Sequence, residues 1–448
     1  IGTSDYTWEI FPVLWFDFSA LSGHTSEAIE RSLQNALLIA AEEVKIPLQQ
    51  GATPADTLIS LIRQAGGKNG VVILVDEYDH PLLKSLEDSK EIVKIRDLMN
   101  EFYTVIKSLN RFIRYVFITG VSKFSKVSLF SGMNHLKDLT LDPNFSSIAG
   151  ITEKELDANY SDWIGATAEK RGEDPSLTRQ LIRQWYNGYC FSHLNPNEKV
   201  YNPVSLHLFF DEARLSNFWF GTATPSFAIN LIRSQNYPLL NLENGVTIGS
   251  SLEEHHEVTS PNLIPLLFQT GYLTISHFDE ESRTYHLVFP NEEVRLSFFD
   301  HLLTGFTSLD ETRLSVHFRL LSESLHSENL KEFFEILNGL FSEIPYTLHI
   351  AKEAYYHSLI YLVMRAIGLK VESEVTTSLG RLDLIVSVNQ TLYIFEFKFD
   401  SSAQEALQQI IDKKYVDRYK NVGQKIILVG VNVNRQTRSI DDWIEKIY

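Results

Sequence analysis

Five consecutive apolar residues, Val71-Val72-Ile73-Leu74-Val75, lie between a glycine-rich turn, Gly66-Gly67-Lys68-Asn69-Gly70, and an acidic pair, Asp76-Glu77. Side chains along a strand alternate between two faces, so a run that is apolar throughout has two faces to bury. It fits a central strand of a parallel sheet. Pro12-Val13-Leu14-Trp15-Phe16-Asp17-Phe18 and Tyr115-Val116-Phe117-Ile118-Thr119-Gly120 read as further buried strands. Amphipathic helices are expected at 25–50 and 54–65, and a helical stretch at about 87–109. Strands alternating with helices indicate a covered α/β sheet over roughly residues 1–145. The first strand follows only a short polar lead, which suggests a missing upstream segment.

The remaining residues need other domains. A chain of 448 residues suggests about three at roughly 150 residues each, and 44% apolar residues supply the cores. From about 150 to 240 the pattern is helical and aromatic. Residues 261–298 follow the order helix, hairpin, helix, which is the outline of a winged helix or of a small α+β bridge. Two amphipathic helices occupy about 312–342. The last hundred residues read as helix (Glu353 to Ile367), strands (Leu369–Thr376, Arg381–Val388, Thr391–Phe399), helix (Ser402–Tyr419) and a final strand (Lys425–Val431). The order is αβββαβ. The expected boundaries are 1–149 for the α/β core, 150–245 for the helical region, 246–345 for the winged-helix-like and helical bridge, and 346–448 for the αβββαβ domain.

Formal net charge is −17. Residues 346–448 hold 13 Lys+Arg against 12 Asp+Glu, so a nearly neutral C-terminal module is attached to a strongly acidic body. That argues against a surface coated for non-specific nucleic-acid binding. A single cysteine, Cys190, excludes a disulfide framework and a Cys-based zinc site, and fits a reducing cytoplasm. No apolar run is long enough for a membrane helix, and no secretory leader is evident.

Asp76 and Glu77 fall where an apolar strand emerges from a sheet, the place at which open α/β sheets bind ligands. For nucleotide hydrolysis, Asp76 would hold Mg²⁺ and Glu77 would polarise the attacking water. Thr119 or Ser122, after the next strand, would sense a γ-phosphate. Acids after strands also serve as loop openers and helix caps. The chain has no Gly-x-x-x-x-Gly-Lys-[Ser/Thr] loop, so triphosphate binding is not expected of it as it stands.

A second constellation lies near the C-terminus. In Tyr393-Ile394-Phe395-Glu396-Phe397-Lys398, Glu396 and Lys398 share one strand face, while Phe395 and Phe397 point into a core. Asp383, in Arg381-Leu382-Asp383-Leu384-Ile385, meets that pair from the neighbouring strand. Two carboxylates beside a lysine suit Mg²⁺ or Mn²⁺, with the lysine orienting water and offsetting charge at phosphorus. Glu353 is a further candidate carboxylate, and Gln409 and Tyr415 are candidates for orienting substrate. An exposed Glu–Lys pair is the ordinary alternative; Asp383 and the αβββαβ order favour the site. Trp185, Tyr186 and Tyr189 are expected in a core, and His255, His256 and His357 at the surface.

These stretches resemble a bacterial family of predicted AAA-type ATPases with a C-terminal PD-(D/E)XK nuclease domain. The resemblance also includes Val75-Asp76-Glu77-Tyr78-Asp79-His80-Pro81-Leu82, Trp185-Tyr186-Asn187-Gly188-Tyr189-Cys190-Phe191, Tyr201-Asn202-Pro203 and Pro290-Asn291-Glu292-Glu293-Val294. It implies that Asp76 and Glu77 are Walker B acids and that Asp383, Glu396 and Lys398 form a nuclease-type site. It also implies a phosphate-binding loop upstream of Pro12, so the chain resembles an N-terminally truncated member, with ATP binding confined to its parent. The implied function is ATPase-coupled, metal-dependent hydrolysis of DNA or RNA. The alternative is a STAND-like signalling or scaffold ATPase whose nuclease fold binds without cutting. Nucleic acid is the expected partner of the C-terminal domain, and self-association or a protein partner is expected through the ATPase region.

Overall fold

A computed structural model describes residues 9–85, 90–121, 136–219, 229, 231–232, 237, 239–252, 262–307, 309, 311–344, 353–367, 369–377, 380–413, 416, 419 and 423–448. The chain divides into two compact units. The first comprises 1–145 with 248–273 and 278–285; the second comprises 146–247, 274–277 and 286–448. Among the described residues no helix is long and apolar enough to cross a membrane.

In the first unit, β1 (Val13–Asp17), β2 (Val71–Asp76) and β3 (Ile113–Ile118) form a parallel sheet in the order β1-β2-β3. Helices Ser26–Glu43, Pro54–Gly66 and Glu91–Ser108 supply the connections. The first two begin at threonine caps, where the side chains of Thr25 and Thr53 accept the amides of Ala28 and Asp56. The helix expected to reach residue 50 stops at Glu43. Lys45 enters the left-handed region (φ 58°), and the Ile46 amide returns to the Ala41 carbonyl at 2.9 Å. Leu14, Phe16, Val71, Ile73 and Val75 pack with these helices in one buried cluster. Phe102 meets Phe16 and Phe18 edge-on, at 5.6 and 5.5 Å between ring centroids.

The opposite face departs from the expected covered sheet. Trp15 and Tyr115 are each 55% exposed, and Val13 and Phe117 about 40%. The sheet is thus covered on one face only by the described residues. The apolar run identified the strand, but nothing within it specifies what lies over its second face.

The second unit begins with β4 (Ile151–Thr152), paired antiparallel with β5 (Val200–Tyr201). Helices Glu153–Asn159, Ser161–Arg171, Pro175–Tyr186 and Pro203–Glu212 surround a core containing Leu156, Ile182, Tyr186, Tyr201, Leu206 and Phe209. Tyr186 and Tyr189 are buried and Trp185 half-buried, as expected of core aromatics. Glu153 accepts from Tyr201 Oη and Asn187 Nδ2, both at 2.9 Å, and from Arg179 at 2.8 Å. A Cβ at Gly188 would stand 1.9 Å from the Pro290 carbonyl oxygen, so only glycine permits that approach. The tyrosine- and asparagine-rich motifs of this region therefore serve packing and capping.

β6 (Val246–Ile248), β7 (Thr274–Asp279) and β8 (Thr284–Val288) form a sheet in the order β6-β8-β7. Helices Leu263–Gln269 and Glu292–Thr307 flank the hairpin in sequence, which matches the expected element order.

The C-terminal sheet contains β9 (Lys370–Thr377), β10 (Gly380–Val388), β11 (Thr391–Phe399), β12 (Lys425–Asn434) and β13 (Ser439–Ile447), in the order β13-β12-β11-β10-β9. Only the β11–β12 pair is parallel. Helix Ala403–Asp412 makes that crossover and packs its Leu407 and Ile410 on Leu392, Ile394 and Leu428. The opposite face carries a row of stacked rings, Tyr393, Phe395 and Phe397, with centroids 6.0 and 6.1 Å apart. The strand expected at Lys425–Val431 runs on to Asn434, and β13, absent from the expected αβββαβ order, follows it. The sequence of β13, Ser-Ile-Asp-Asp-Trp-Ile-Glu-Lys-Ile, is that of a charged, largely exposed edge strand with little core signal.

Candidate active site

Alternation along β11 turns Glu396 and Lys398 toward helix Ala403–Asp412 and the phenylalanines toward the other face. The β10–β11 pairing runs as far as Leu384 opposite Phe395. One residue further, where that pairing ends, Asp383 Oδ2 accepts the Phe397 amide at 2.9 Å. A side chain thus takes over from the strand backbone, which fixes one carboxylate beside the next.

Glu396 is 1% exposed. Its Oε1 accepts from Gln409 Nε2, and Gln409 Oε1 accepts from Lys398 Nζ at 2.7 Å. Lys398 Nζ lies 3.9 Å from Glu396 Oε1, so the glutamine amide bridges the acid and the ammonium. Glu396 Oε2 is buried and has no hydrogen-bond partner among the described residues. Burial first, and then the Asp383 charge, push the Glu396 carboxyl up to about 8, against the opposing pull of Lys398 and Lys413.

The structure therefore brings together Asp383, Glu396, Lys398 and Gln409. Glu353 opens helix Glu353–Ala366, but its side chain lies outside the described residues, as do Tyr415, Ser122, His255, His256 and the side chain of His357. Among the described residues no group of three or more His, Cys, Asp or Glu side chains is arranged to hold a metal. Sequence reading missed Lys413, whose signal was its position four residues after Gln409, on the same helical face. It also missed Gly430, the residue beside Glu396 in the β11–β12 register.

In the first unit, Asp76 stands exposed at the end of β2. Its Oδ1 accepts from Thr119 Oγ1 and, at 3.1 Å, from the Glu77 amide. Glu77 adopts a left-handed conformation (φ 50°), and its carboxylate lies 3.1 Å from His80 Nδ1. Asp76 and Thr119 are thus in contact, while Glu77 turns to His80. Asp79, fully buried, accepts the Val121 amide at 3.1 Å.

Residues 1–130 match a family described as Predicted AAA-ATPase. Residues 351–443 match the PD-(D/E)XK nuclease superfamily. A protein of Azotobacter chroococcum mcd 1, described as "Uncharacterized protein in vnfD 5'region", is 35% identical over 440 residues. That match covers 96% of this chain and 82% of the Azotobacter protein. No solved structure matches.

Proposed function

This chain belongs to the family of AAA-ATPase-like proteins with a C-terminal PD-(D/E)XK nuclease superfamily domain, and from that premise we propose that it cuts phosphodiester bonds in DNA or RNA. The observation that carries the proposal is the buried carboxyl of Glu396 beside Asp383, whose Oε2 has no hydrogen-bond partner among the described residues. A buried acceptor without a donor is unfavourable, and so are two carboxylates forced together. A divalent cation relieves both, so the residues fit Mg²⁺ or Mn²⁺, with Asp383 and Glu396 as the groups that would hold it. When bound, such an ion supplies Lewis-acid charge for the phosphoryl oxygen. Gln409 holds the Lys398 ammonium beside these acids, where it orients water and offsets negative charge developing at phosphorus.

The N-terminal residues do not by themselves fit ATP. Asp76 and Thr119 bond each other at the strand ends, Glu77 is engaged by His80, and the sequence has no Gly-x-x-x-x-Gly-Lys-[Ser/Thr] motif.

The test incubates the full chain with single- and double-stranded DNA and RNA in Mg²⁺, Mn²⁺ or EDTA. Cutting is expected with metal alone, and Asp383→Ala and Lys398→Ala should each lower it on the order of 100-fold or more. Metal-dependent cutting that survives in both variants would show the site to be wrong. Binding without cutting would favour a signalling or scaffold protein whose nuclease fold is a binding module.

A further inference from the structure

Helix Ala403–Asp412 crosses the sheet with its backbone against Gly430. A Cβ at this position would stand 2.2 Å from the Ala403 carbonyl oxygen, 2.6 Å from the Leu407 amide nitrogen and 2.9 Å from Leu407 Cβ. Two of those atoms are main chain, so no rotamer change makes room. Gly430 lies inside β12 and is not among the glycines with positive φ. What it contributes is space, not conformational freedom. It is also the register partner of Glu396 in the parallel β11–β12 pair. The helix therefore approaches the sheet closely at the residue beside the buried acid.

We propose that Gly430 is a positioning residue for the cutting site: its missing side chain lets the helix settle low enough for the Gln409 amide to reach Glu396 and Lys398 together. The inference rests on the nuclease reading of that site. Gln409 lies two residues beyond Leu407 on the same short helix, so a shift at Leu407 is passed directly to it. Hydrogen bonds weaken steeply with distance and angle, so a helix lifted by one methyl group loses the bridge. Lys398 Nζ, now held by Gln409 and 3.9 Å from Glu396, is then released to pair with that carboxylate. An ammonium there competes with any cation that Glu396 and Asp383 would share.

The experiment uses the full chain and two routes to the same displacement. Gly430→Ala raises the helix from below, and Ala406→Val enlarges a side chain fully buried under it. Each is combined with Gln409→Leu in a double-mutant cycle. Gly339→Ala, where an added Cβ meets nothing within 4 Å, is the control. Circular dichroism and thermal melting establish folding; kcat, KM and Mn²⁺ affinity without substrate are then measured. Folded Gly430→Ala should lose on the order of 100-fold in kcat with KM little changed. Its Mn²⁺ affinity should fall about tenfold or more. Both losses should largely vanish in the Gln409→Leu background, because the bridge is already gone. Wild-type kcat and Mn²⁺ affinity in a folded Gly430→Ala, or losses that add in full to those of Gln409→Leu, would overturn the proposal. If Gly430→Ala does not fold, Ala406→Val carries the same test, and unchanged kcat and affinity there overturn it. If the wild-type chain cuts nothing, the nuclease reading fails by itself, and the Mn²⁺ cycle still decides the role of Gly430.

Discussion

Glu396 is the residue at which burial, charge and hydrogen bonding conflict most sharply. The unfolded chain gives up this proton near the ordinary glutamate value of 4.5, and the folded chain only near 8. Its contribution to stability is therefore full below 4.5 and is lost as pH rises through 8. In EDTA, the melting temperature of the wild-type chain should fall relative to that of Glu396→Gln as pH is raised from 5 to 8. Mn²⁺ affinity should rise over the same interval, because the cation competes with the proton. Parallel melting curves for the two chains across that interval would show that Glu396 is ionised throughout. The Asp383, Glu396 and Lys398 set was legible in the sequence because residue type and strand alternation are local. Gln409 was legible only as a candidate for orienting substrate, and its bridge between Glu396 and Lys398 was not, since a helix and a strand joined by a short connection can meet at several registers.

At the scale of elements, β1 shows how far an apolar pattern goes. Trp15 and Phe16 are neighbours and both aromatic, yet Phe16 is 1% exposed and Trp15 55%. Phe16→Ala should therefore destabilise the chain by about 3–5 kcal/mol, and Trp15→Ala by less than about 1 kcal/mol, as read by chemical denaturation. Equal losses would mean that the second face of the sheet is covered. The sequence pattern located the strand but could not tell these two residues apart. The edge strand β13 failed to register for the opposite reason. Its alternation is charged, and part of its support comes from Asn338, which lies about a hundred residues earlier. Asn338 Nδ2 donates to the Ile440 carbonyl at 2.7 Å, and its Oδ1 accepts the Ile440 amide at 2.8 Å. A side-chain amide here makes the backbone contacts that another strand would make, and no window around β13 contains that information.

For the whole molecule, the contrast is between an acidic body and a C-terminal module of nearly balanced charge. Each compact unit has its own apolar core, one around Phe16 and Phe102 and another around Ile394 and Leu407. Phe102→Ala should lower stability by about 3–5 kcal/mol while leaving Mn²⁺ affinity at Asp383 and Glu396 unchanged wherever the chain remains folded. A fall in that affinity, measured by titration calorimetry, would show that the site depends on the first core. The strands that carry the acids, and the places of the acids on them, could be read from residues 71–77 and 381–398, because backbone alternation and apolar runs act over a few neighbours. Which sheet face is covered, which carboxylate is buried and why residue 430 must be small were decided by tertiary structure. Those properties depend on side chains that meet across the fold, and their separation along the chain leaves no local pattern to read.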